Sequence, residues 1–489
     1  MAVIRCDATP TIGAGHAARC QALAEALTES GWHVTFATRE LSAAVSPHIM
    51  SNFATCKLAG APSAEPDALK QHLASGADLL VVDHYARDIA FERRCRGWAR
   101  QILAIDDRTG RRHDCDLLVD AAASGGAAYT GRVPDHARIL FGPEYALLRR
   151  AIFAHRAAAM RRRDGGPARA ILLSFGATDP GNATSLALDA LDRLAGTISI
   201  TVAMSSQAPH LDEVRRRLRG RARLALDADM CELMVNSDLA IGAAGVSAYE
   251  RAALGLPSII VTLADNQRGV AGSLVQSGAA LDGGTLDGEF AVRLPAQVKR
   301  LIADADQRRR MAQAAYALID GRGAGRLLLA VAGEIILKDG GRVWLRSATA
   351  GDETWLLELQ RAPGTRRYAK NPAIPQPREH ARWLCDTLAD SDIILAIVEL
   401  NGKPAGMVRL HRGRGAYGVA QHTISIAISP EVRRRGVGSA ALALVRRLKP
   451  AALLDAEILP ANAGSQAMFL KAGFCHVSGN NYRCQPLLV

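Results

Sequence analysis

A glycine-rich turn ahead of His16 is the first group of residues able to do chemistry. Gly13, Gly15, His16 and Arg19 follow a short apolar run that predicts a β-strand, and they begin a stretch that predicts a helix. Glycines there let a ligand approach the backbone, and a helix N-terminus favours an anion. A neutral imidazole at this place can accept a proton from water near neutral pH. The alternative is a histidine that only caps the turn.

Polar residues also end two later apolar runs. Asp83 and Tyr85 follow one run, and the paired carboxylates Asp106 and Asp107 follow the next. Because parallel strands end at one edge of a sheet, these groups are predicted to build a site with His16. Carboxylates that merely cap loops are the alternative. Nicotinamide chemistry is disfavoured, since the third glycine of the dinucleotide fingerprint is missing and Ala18 stands in its place.

A second set of candidate residues follows strands in the middle of the chain. Gly176 follows one predicted strand, and Gly245 leads from another towards Ser247 and Glu250. Backbone N–H groups of such a loop can hold a diphosphate. Ser247 and Glu250 also fit a capping box, so Glu250 either satisfies a backbone donor or accepts from two ribose hydroxyls. Further amides that reach a sugar or phosphate in the same cleft are those of Asn266 and Gln267.

A basic loop near the C-terminal end forms a third set. It lies between a predicted strand and a predicted helix, and its backbone N–H groups and arginines suit a diphosphate. A solvated basic turn is the alternative. The residues predicted to bind a cofactor here are Ile426, Ile428, Arg433, Arg434, Arg435, Gly436, Val437 and Gly438, with Asn462 further on.

The elements that position these sets alternate strands with helices over the first two thirds of the chain. This pattern predicts two Rossmann-like α/β domains with a cleft between them, and the strands and helices beyond residue 342 predict a third α/β domain. The predicted domains are 1–156 with the histidine, 167–335 with the nucleotide loop, and 342–489. A basic, glycine-containing linker is expected over 156–167.

Composition limits the classes of function. The formal net charge is +12 and mostly arginine, but the basic runs are scattered and aromatics make up only 4%, so no nucleic acid partner is expected. The nine cysteines lack the spacing of a zinc site or a disulfide framework. With no apolar run of membrane-spanning length and no leader pattern, we expect no membrane partner, a cytoplasmic location and no metal.

The motifs of residues 1–330 together resemble the hydrolase of pseudaminic acid biosynthesis, which cleaves UDP from a UDP-2,4-diacetamido-2,4,6-trideoxyhexose. The resemblance implies a glycosyltransferase-B-like fold, similar to the N-acetylglucosaminyltransferase of peptidoglycan synthesis, and inversion without a metal. The motifs are Arg5-x-Asp7, Gly13-x-Gly15-His16-x-x-Arg19-Cys20, Asp83-His84-Tyr85, Asp106-Asp107, Phe141-Gly142-Pro143, Ser174-Phe175-Gly176, Gly242-Ala243-Ala244-Gly245 and Ala264-Asp265-Asn266-Gln267.

By the same resemblance, His16 is the catalytic residue and water replaces the acceptor sugar. Tyr85 and Asn266 would contact the sugar, and Glu250 the uridine ribose. Ala177 departs from the family, which often has a second glycine there. The prediction requires the imidazole of His16 to face the loop 242–250 across a shared cleft.

Residues 343–485 resemble the GNAT superfamily of N-acetyltransferases. The loop Arg433–Gly438 fits its diphosphate motif, and the segment from Glu457 to Phe474 fits its last strand, helix and strand. The resemblance implies acetyl-CoA as co-substrate, Asn462 against the pantetheine arm and Glu457 as general base. A solvent-facing charge is the alternative for Glu457. Phe469 stands where many members have a tyrosine that protonates the thiolate.

The sequence thus predicts a UDP-sugar hydrolase fused to an acetyltransferase that acts on the 4-amino group of the UDP-sugar precursor. Two rivals remain. The first is a UDP-sugar glycosyltransferase with a CoA-binding regulatory domain, and the second is a nucleic-acid-binding module.

Overall fold

The computed structural model describes residues 1–9, 14–41, 47–73, 75–122, 125–163, 166–192, 198–218, 220, 222–413 and 420–487. They form two compact units. One comprises Met1–Glu25 and His33–Ala324, and the other comprises Ala26–Trp32 and Gly325–Val489. None of the helices in these ranges is long and apolar enough to cross a bilayer.

The first unit begins with a parallel seven-stranded sheet. Its strands are β1 Ala2–Cys6, β2 Val34–Thr38, β3 Ala54–Lys57, β4 Leu79–Asp83, β5 Ile102–Ile105, β6 Leu117–Asp120 and β7 Arg138–Phe141. The order is β3-β2-β1-β4-β5-β6-β7, which contains the Rossmann order. The helices are α1 Gly15–Glu29, α2 Pro47–Asn52, α3 Glu65–His72 and α4 Ile89–Cys95. Every residue of β1, β4, β5 and β6 is buried, as expected for strands covered on both faces.

A second parallel sheet of the same topology completes this unit. Its strands are β8 Ala170–Ser174, β9 Ser199–Met204, β10 Ala222–Leu226, β11 Leu239–Ala243, β12 Ser258–Val261 and β13 Leu281–Asp282. The order is β10-β9-β8-β11-β12-β13. Its helices are α5 Arg150–Arg161, α6 Ala183–Leu191, α7 Leu211–Leu218, α8 Met230–Asn236, α9 Val246–Ala253, α10 Arg268–Gln276, α11 Phe290–Ala303 and α12 Ala305–Leu318. Two Rossmann-like domains in one unit are the predicted arrangement.

Helix α5 occupies the first half of the expected linker. Its sequence is rich in alanine, a strong helix former, and Ile152 and Ala159 are buried. The Arg156 guanidinium donates to carbonyl oxygens of Ala253 (2.7 Å), Tyr316 (2.9 Å) and Ile319. Arg156 therefore fastens the buried face of this helix, whereas Arg161 and Arg162 of the expected linker are exposed.

The second unit is built on a mixed eight-stranded sheet. Its strands are β14 Glu334–Ile336, β15 Arg342–Ser347, β16 Ile393–Leu400, β17 Lys403–Gly413, β18 Gln421–Ile428, β19 Leu453–Glu457, β20 Cys475–Ser478 and β21 Asn481–Cys484, in the order β14-β15-β16-β17-β18-β19-β21-β20. The helices after β14 are α14 Glu353–Arg361, α15 Pro377–Ala389, α16 Val437–Leu448 and α17 Ala463–Lys471; α13 Gly323–Val331 precedes that strand. Among the described strands of this sheet, only β18 and β19 pair in parallel.

The predicted boundary at residue 335 differs from these units, because the second unit begins at Gly325. Strand β14 pairs with β15, so Glu334 and Ile335 belong to the third sheet rather than to the range 167–335. The three predicted ranges otherwise stay predictions.

Candidate active sites

His16 and Asp83 form an acid–base pair at the carboxyl edge of the first sheet. Asp83 is the last residue of β4, which pairs with β1, and His16 lies in the first turn of α1. The Nδ1 atom of His16 is 2.6 Å from Oδ1 of Asp83. Gly13, predicted with them, lies outside the described residues.

The surroundings of Asp83 keep it ionised. Burial opposes ionisation, but Arg19 and His16 outweigh it and hold the pKa of Asp83 well below its usual value. Arg19 donates to both carboxylate oxygens, at 2.7 and 2.6 Å, and the Cys20 thiol lies 3.3 Å from Oδ2. Arg19 also approaches Nδ1 of His16 at 3.1 Å, but a carboxylate can only accept. His16 therefore carries its proton on Nδ1, which leaves Nε2 as a base.

This geometry changes the role predicted for Asp83. It was expected to contact substrate, but its side chain is fully buried and is engaged by His16, Arg19 and Cys20. It can orient the imidazole but cannot reach a ligand as placed. Arg19, which was also expected to contact substrate, forms ion pairs with Asp83 and Asp107 instead.

Tyr85 joins the two Rossmann-like domains beside His16. Its hydroxyl donates to Oδ1 of Asp107 at 2.7 Å and accepts from Nδ2 of Asn266 at 2.9 Å. The rings of His16 and Tyr85 meet edge to face with centroids 4.8 Å apart. The Arg108 guanidinium lies 3.7 Å from the centre of the Tyr85 ring. The predicted pair Tyr85 and Asn266 thus meets directly.

A buried ion bridge holds the loop that carries Asp107. His113 lies between Oε1 of Glu92 (2.7 Å) and Oδ2 of Asp106 (2.9 Å). Burial opposes protonation of this imidazole, but the two carboxylates outweigh it and raise the pKa of His113 to about 9. His113 was missed because it belongs to no motif and its partner Glu92 lies 21 positions away in the sequence.

The loop after β11 faces the turn that holds His16. A methyl group built on Gly15 would lie 3.9 Å from Cγ2 of Val246, the first residue of α9. The helix N-cap is Gly245, which has no side-chain cap hydrogen bond. The backbone beside His16 is therefore close to the start of α9, and the requirement that the imidazole of His16 face the loop 242–250 stays a prediction.

Glu250 pairs with an arginine instead of forming the capping box. Its Oε1 accepts from Nη2 and Nε of Arg149 at 3.1 and 3.3 Å. The Ser247 hydroxyl instead lies 3.4 Å from Nη1 of Arg251. The capping alternative for Glu250 is therefore wrong, and its pairing with Arg149 had no signal in the sequence.

The remaining residues predicted around this cleft hold backbone turns. Gly176, the second residue after β8, has φ of 105°, which an L side chain rarely adopts. The Gln267 side chain accepts from the backbone N–H of Leu263 at 2.9 Å, so its oxygen fixes the turn that carries Asn266. Within the described residues no cluster of three His, Cys, Asp or Glu side chains is placed to hold a metal.

The basic loop of the second unit runs into the N-terminus of α16. Arg434 and Gly436 have positive φ, 63° and 96°, and Gly436 caps the helix. Arg433 donates to the carbonyl of Ile428 at 3.1 Å, and Arg435 pairs with Asp339 at 2.7 Å. At the N-terminus of α16 the first backbone N–H groups, including that of Val437, point out of the helix towards the loop. This is the arrangement that an anion site needs.

Gly438 has a packing role in addition to the predicted one. It is buried, and a methyl group built there would lie 2.5 Å from Sδ of Met468 on α17. A side chain at this position would require the Met468 side chain to move. The glycine therefore lets Met468 of α17 lie directly against the start of α16.

The parallel strands β18 and β19 separate next to this loop. Their pairing ends at Thr423 and Asp455, whereas the strands continue to Ile428 and Glu457. The stretch with Ile426 and Ile428 thus has backbone groups able to pair with an extended, amide-containing ligand. Glu457 lies at the end of β19 and forms an ion pair with Lys370.

Two residues of the last helix serve its own structure. Asn462 is the N-cap of α17 and accepts from the backbone N–H of Ser465 at 3.1 Å, so its oxygen is engaged. Phe469 is buried against Phe474 with ring centroids 4.8 Å apart. A contact of Asn462 with a pantetheine arm would have to use its amide nitrogen.

Comparison with known proteins matches part of the second unit to a family and finds relatives of the chain. Residues 357–474 match the sequence model of the acetyltransferase (GNAT) family. The spore coat polysaccharide biosynthesis protein SpsG of Bacillus subtilis is 27% identical over 232 residues, which cover 46% of this chain and 68% of that protein. An uncharacterized protein of Methanocaldococcus jannaschii is 22% identical over 272 residues, 54% of this chain and 55% of that protein.

A solved structure also resembles the chain. The crystal structure of Acinetobacter baumannii MurG matches with a TM-score of 0.49 and 14% identity, over 67% of this chain and 97% of that one. The sheets described above and the family match together define a chain with two Rossmann-like domains and a GNAT acetyltransferase domain.

Proposed function

We propose that the first unit hydrolyses a UDP-2,4-diacetamido-2,4,6-trideoxyhexose to the free sugar and UDP. The observation that carries the proposal is the 2.6 Å contact between His16 and Asp83, which leaves Nε2 as a base in the first turn of α1. The relative named for spore coat polysaccharide biosynthesis supports a role in sugar metabolism. The resemblance of the motifs in residues 1–330 supplies the particular sugar nucleotide.

The mechanism follows from these positions. His16 Nε2 takes a proton from water as the water attacks the anomeric carbon, and Asp83 stabilises the imidazolium that forms. The C–O bond to UDP breaks, and the backbone N–H groups at the start of α9 stabilise the charge on the leaving diphosphate. Water attacks from the face opposite to UDP, so the configuration inverts.

The roles of the surrounding residues extend this proposal. Tyr85 and Asn266 contact the sugar. Glu250 accepts from the ribose hydroxyls, held in place by Arg149. Because Tyr85 and Asn266 belong to different Rossmann-like domains, their hydrogen bond closes the cleft beside the imidazole.

The GNAT domain acetylates the 4-amino group of the UDP-sugar precursor in this proposal. Backbone N–H groups at the start of α16 and the arginines of the loop hold the diphosphate of acetyl-CoA. Glu457 takes the proton of the attacking amine, directly or through water. Because Phe469 has no hydroxyl, water protonates the departing thiolate. One chain would then catalyse two consecutive steps.

Release of UDP by the full chain and by His16→Asn tests the hydrolase. We expect His16→Asn to bind UDP with the affinity of the parent but to release no UDP from the sugar nucleotide. The control is His155→Asn, a change on the exposed face of α5, which should release UDP at the parent rate. Unchanged turnover in His16→Asn would remove the proposed role. A glycoside in place of free sugar would favour a glycosyltransferase.

Mass spectrometry of products from acetyl-CoA and the UDP-4-amino sugar tests the second activity. We expect the mass of one added acetyl group on the sugar nucleotide, followed by free diacetamido sugar and UDP. Absence of N-acetylated product would assign the domain another acceptor.

A further inference from the structure

A lysine of the second unit contacts the carboxylate that is proposed to deprotonate the acceptor amine. Lys370 lies between α14 and α15, and its Nζ pairs with Oε2 of Glu457. The Lys370 side chain is 78% exposed and that of Glu457 36% exposed. An exposed ion pair adds little stability, so this contact is not explained by the needs of the fold.

The segment that carries Lys370 is also tied to the predicted diphosphate loop. The hydroxyl of Thr365 accepts from Nη2 of Arg433 at 3.1 Å, five residues before Lys370. Arg366 fastens the same segment by donating to Oε1 of Gln360 at 2.8 Å and to the carbonyl of Asn371. The segment that contacts the predicted diphosphate loop through Thr365 thus also carries a primary amine that contacts the proposed general base.

From this placement we propose that Lys370 is a self-acetylation site. The inference rests on the proposed acetyl-CoA site and on Glu457 as base, but not on the sugar acceptor. Glu457 takes a proton from the Lys370 ammonium, and the neutral amine attacks the carbonyl carbon of the thioester. The C–N bond forms and the C–S bond breaks. Acetyl-CoA and the lysine ammonium give N-acetyl-lysine, CoA thiol and one proton.

Self-acetylation would change the acceptor site. The acetylated side chain loses its positive charge and no longer pairs with Glu457, so the carboxylate becomes free for the amine of another acceptor. Because the reaction is intramolecular, the lysine competes at a high effective concentration until it is consumed. The unmodified side chain would therefore slow the first turnover of an external amine.

Labelling of the full chain with carbon-13 acetyl-CoA tests the proposal, because the isotope separates new acetyl groups from old ones. The chain has eight lysines, and Lys403 at the start of β17 is an exposed control. We expect labelling of Lys370 to be at least ~10-fold faster than that of Lys403 and independent of protein concentration. Lys370→Arg and Glu457→Gln should both abolish the fast labelling, whereas Lys403→Arg should keep it.

Two results would overturn the proposal. One is labelling spread evenly over exposed lysines and insensitive to Glu457→Gln, which is the behaviour of uncatalysed acetylation. The other is the absence of label on Lys370 while the same protein sample acetylates an amino sugar. In that case the inference fails, but the proposed acetyltransferase function is supported. Labelled Lys370 without sugar acetylation gives the reverse outcome, in which the inference holds and the proposed acceptor fails.

Discussion

Nδ1 of His16 lies 2.6 Å from Oδ1 of Asp83, although 67 positions separate the two residues in the chain. The fold brings them together because β1 and β4 are neighbours and α1 begins at the edge where β4 ends. A buried carboxylate, held ionised by Arg19, thus sets the tautomer of an imidazole in the cleft.

Asp83→Asn is predicted to lower the rate of UDP release by about 10²–10⁴-fold. An amide does not stabilise the imidazolium, and it can present N–H to Nδ1 and so favour the wrong tautomer. UDP affinity should stay near that of the parent, because Asp83 does not reach the cleft. The rate and the affinity are measured by UDP release and calorimetry.

Asp67→Asn is the matched control, since Asp67 makes only an exposed ion pair with Arg94 among the contacts described. It should leave both quantities unchanged. Equal rates for Asp83→Asn and the parent would show that Asp83 does not act on His16.

Tyr85→Phe and Asn266→Ala are predicted to be non-additive. Each removes the 2.9 Å hydrogen bond between the Rossmann-like domains, so the double variant should lose about 1 kcal/mol less than the sum of the single losses. The quantity to compare is the free energy of sugar-nucleotide binding from titrations. Strict additivity would mean that the two side chains act independently.

Gly242→Ala and Gly245→Ala are predicted to have different effects. A methyl group at 242 would lie 2.1 Å from the carbonyl oxygen of Ser174, so we expect a loss of about 1–3 kcal/mol in stability. No atom lies within 4 Å of a methyl group built at Gly245, where stability should change by about 1 kcal/mol or less.

UDP binding is expected to distinguish the Gly245→Ala variant further. Gly245→Ala should weaken UDP binding, because the added methyl occupies the approach to the start of α9. Thermal unfolding and UDP calorimetry measure both effects. UDP affinity equal to that of the parent in Gly245→Ala would place the diphosphate elsewhere.

The bridge at His113 is predicted to make stability fall at alkaline pH. The folded pKa is raised to about 9, against about 6.5 for an unfolded histidine. The stabilisation is therefore complete below about pH 6.5 and is lost as the pH rises through about 9. In His113→Asn this decline should be absent. The decline is measured as the unfolding temperature of the parent and of His113→Asn between about pH 6.5 and about pH 9. Parallel curves for the two proteins would contradict a stabilising ion bridge at His113.

Local patterns were enough to predict most of the sheet strands that position the sites. The apolar run that ends at Asp83 was recognised because buried strands are continuous in apolar residues. The glycine turn before His16 and the loop into α9 were found because a strand-to-helix turn has a sequence signature.

Contacts between distant residues could not be predicted in this way. Arg149 and Glu250 are 101 positions apart, and nothing local distinguishes that arginine from its neighbours. Arg156 looked like part of a solvated basic linker, yet it is buried because three carbonyls accept from it. The role of Asp83 likewise depends on burial, which its position at a strand end did not reveal.

Hydrolysis in oxygen-18 water tests the central claim most directly. The full chain is incubated with UDP-2,4-diacetamido-2,4,6-trideoxyhexose, and the nucleotide product is analysed by mass spectrometry. If water activated by His16 attacks the anomeric carbon, the products are free sugar and UDP without the label. Labelled UDP, a sugar phosphate with UMP, or no UDP at all would contradict the account.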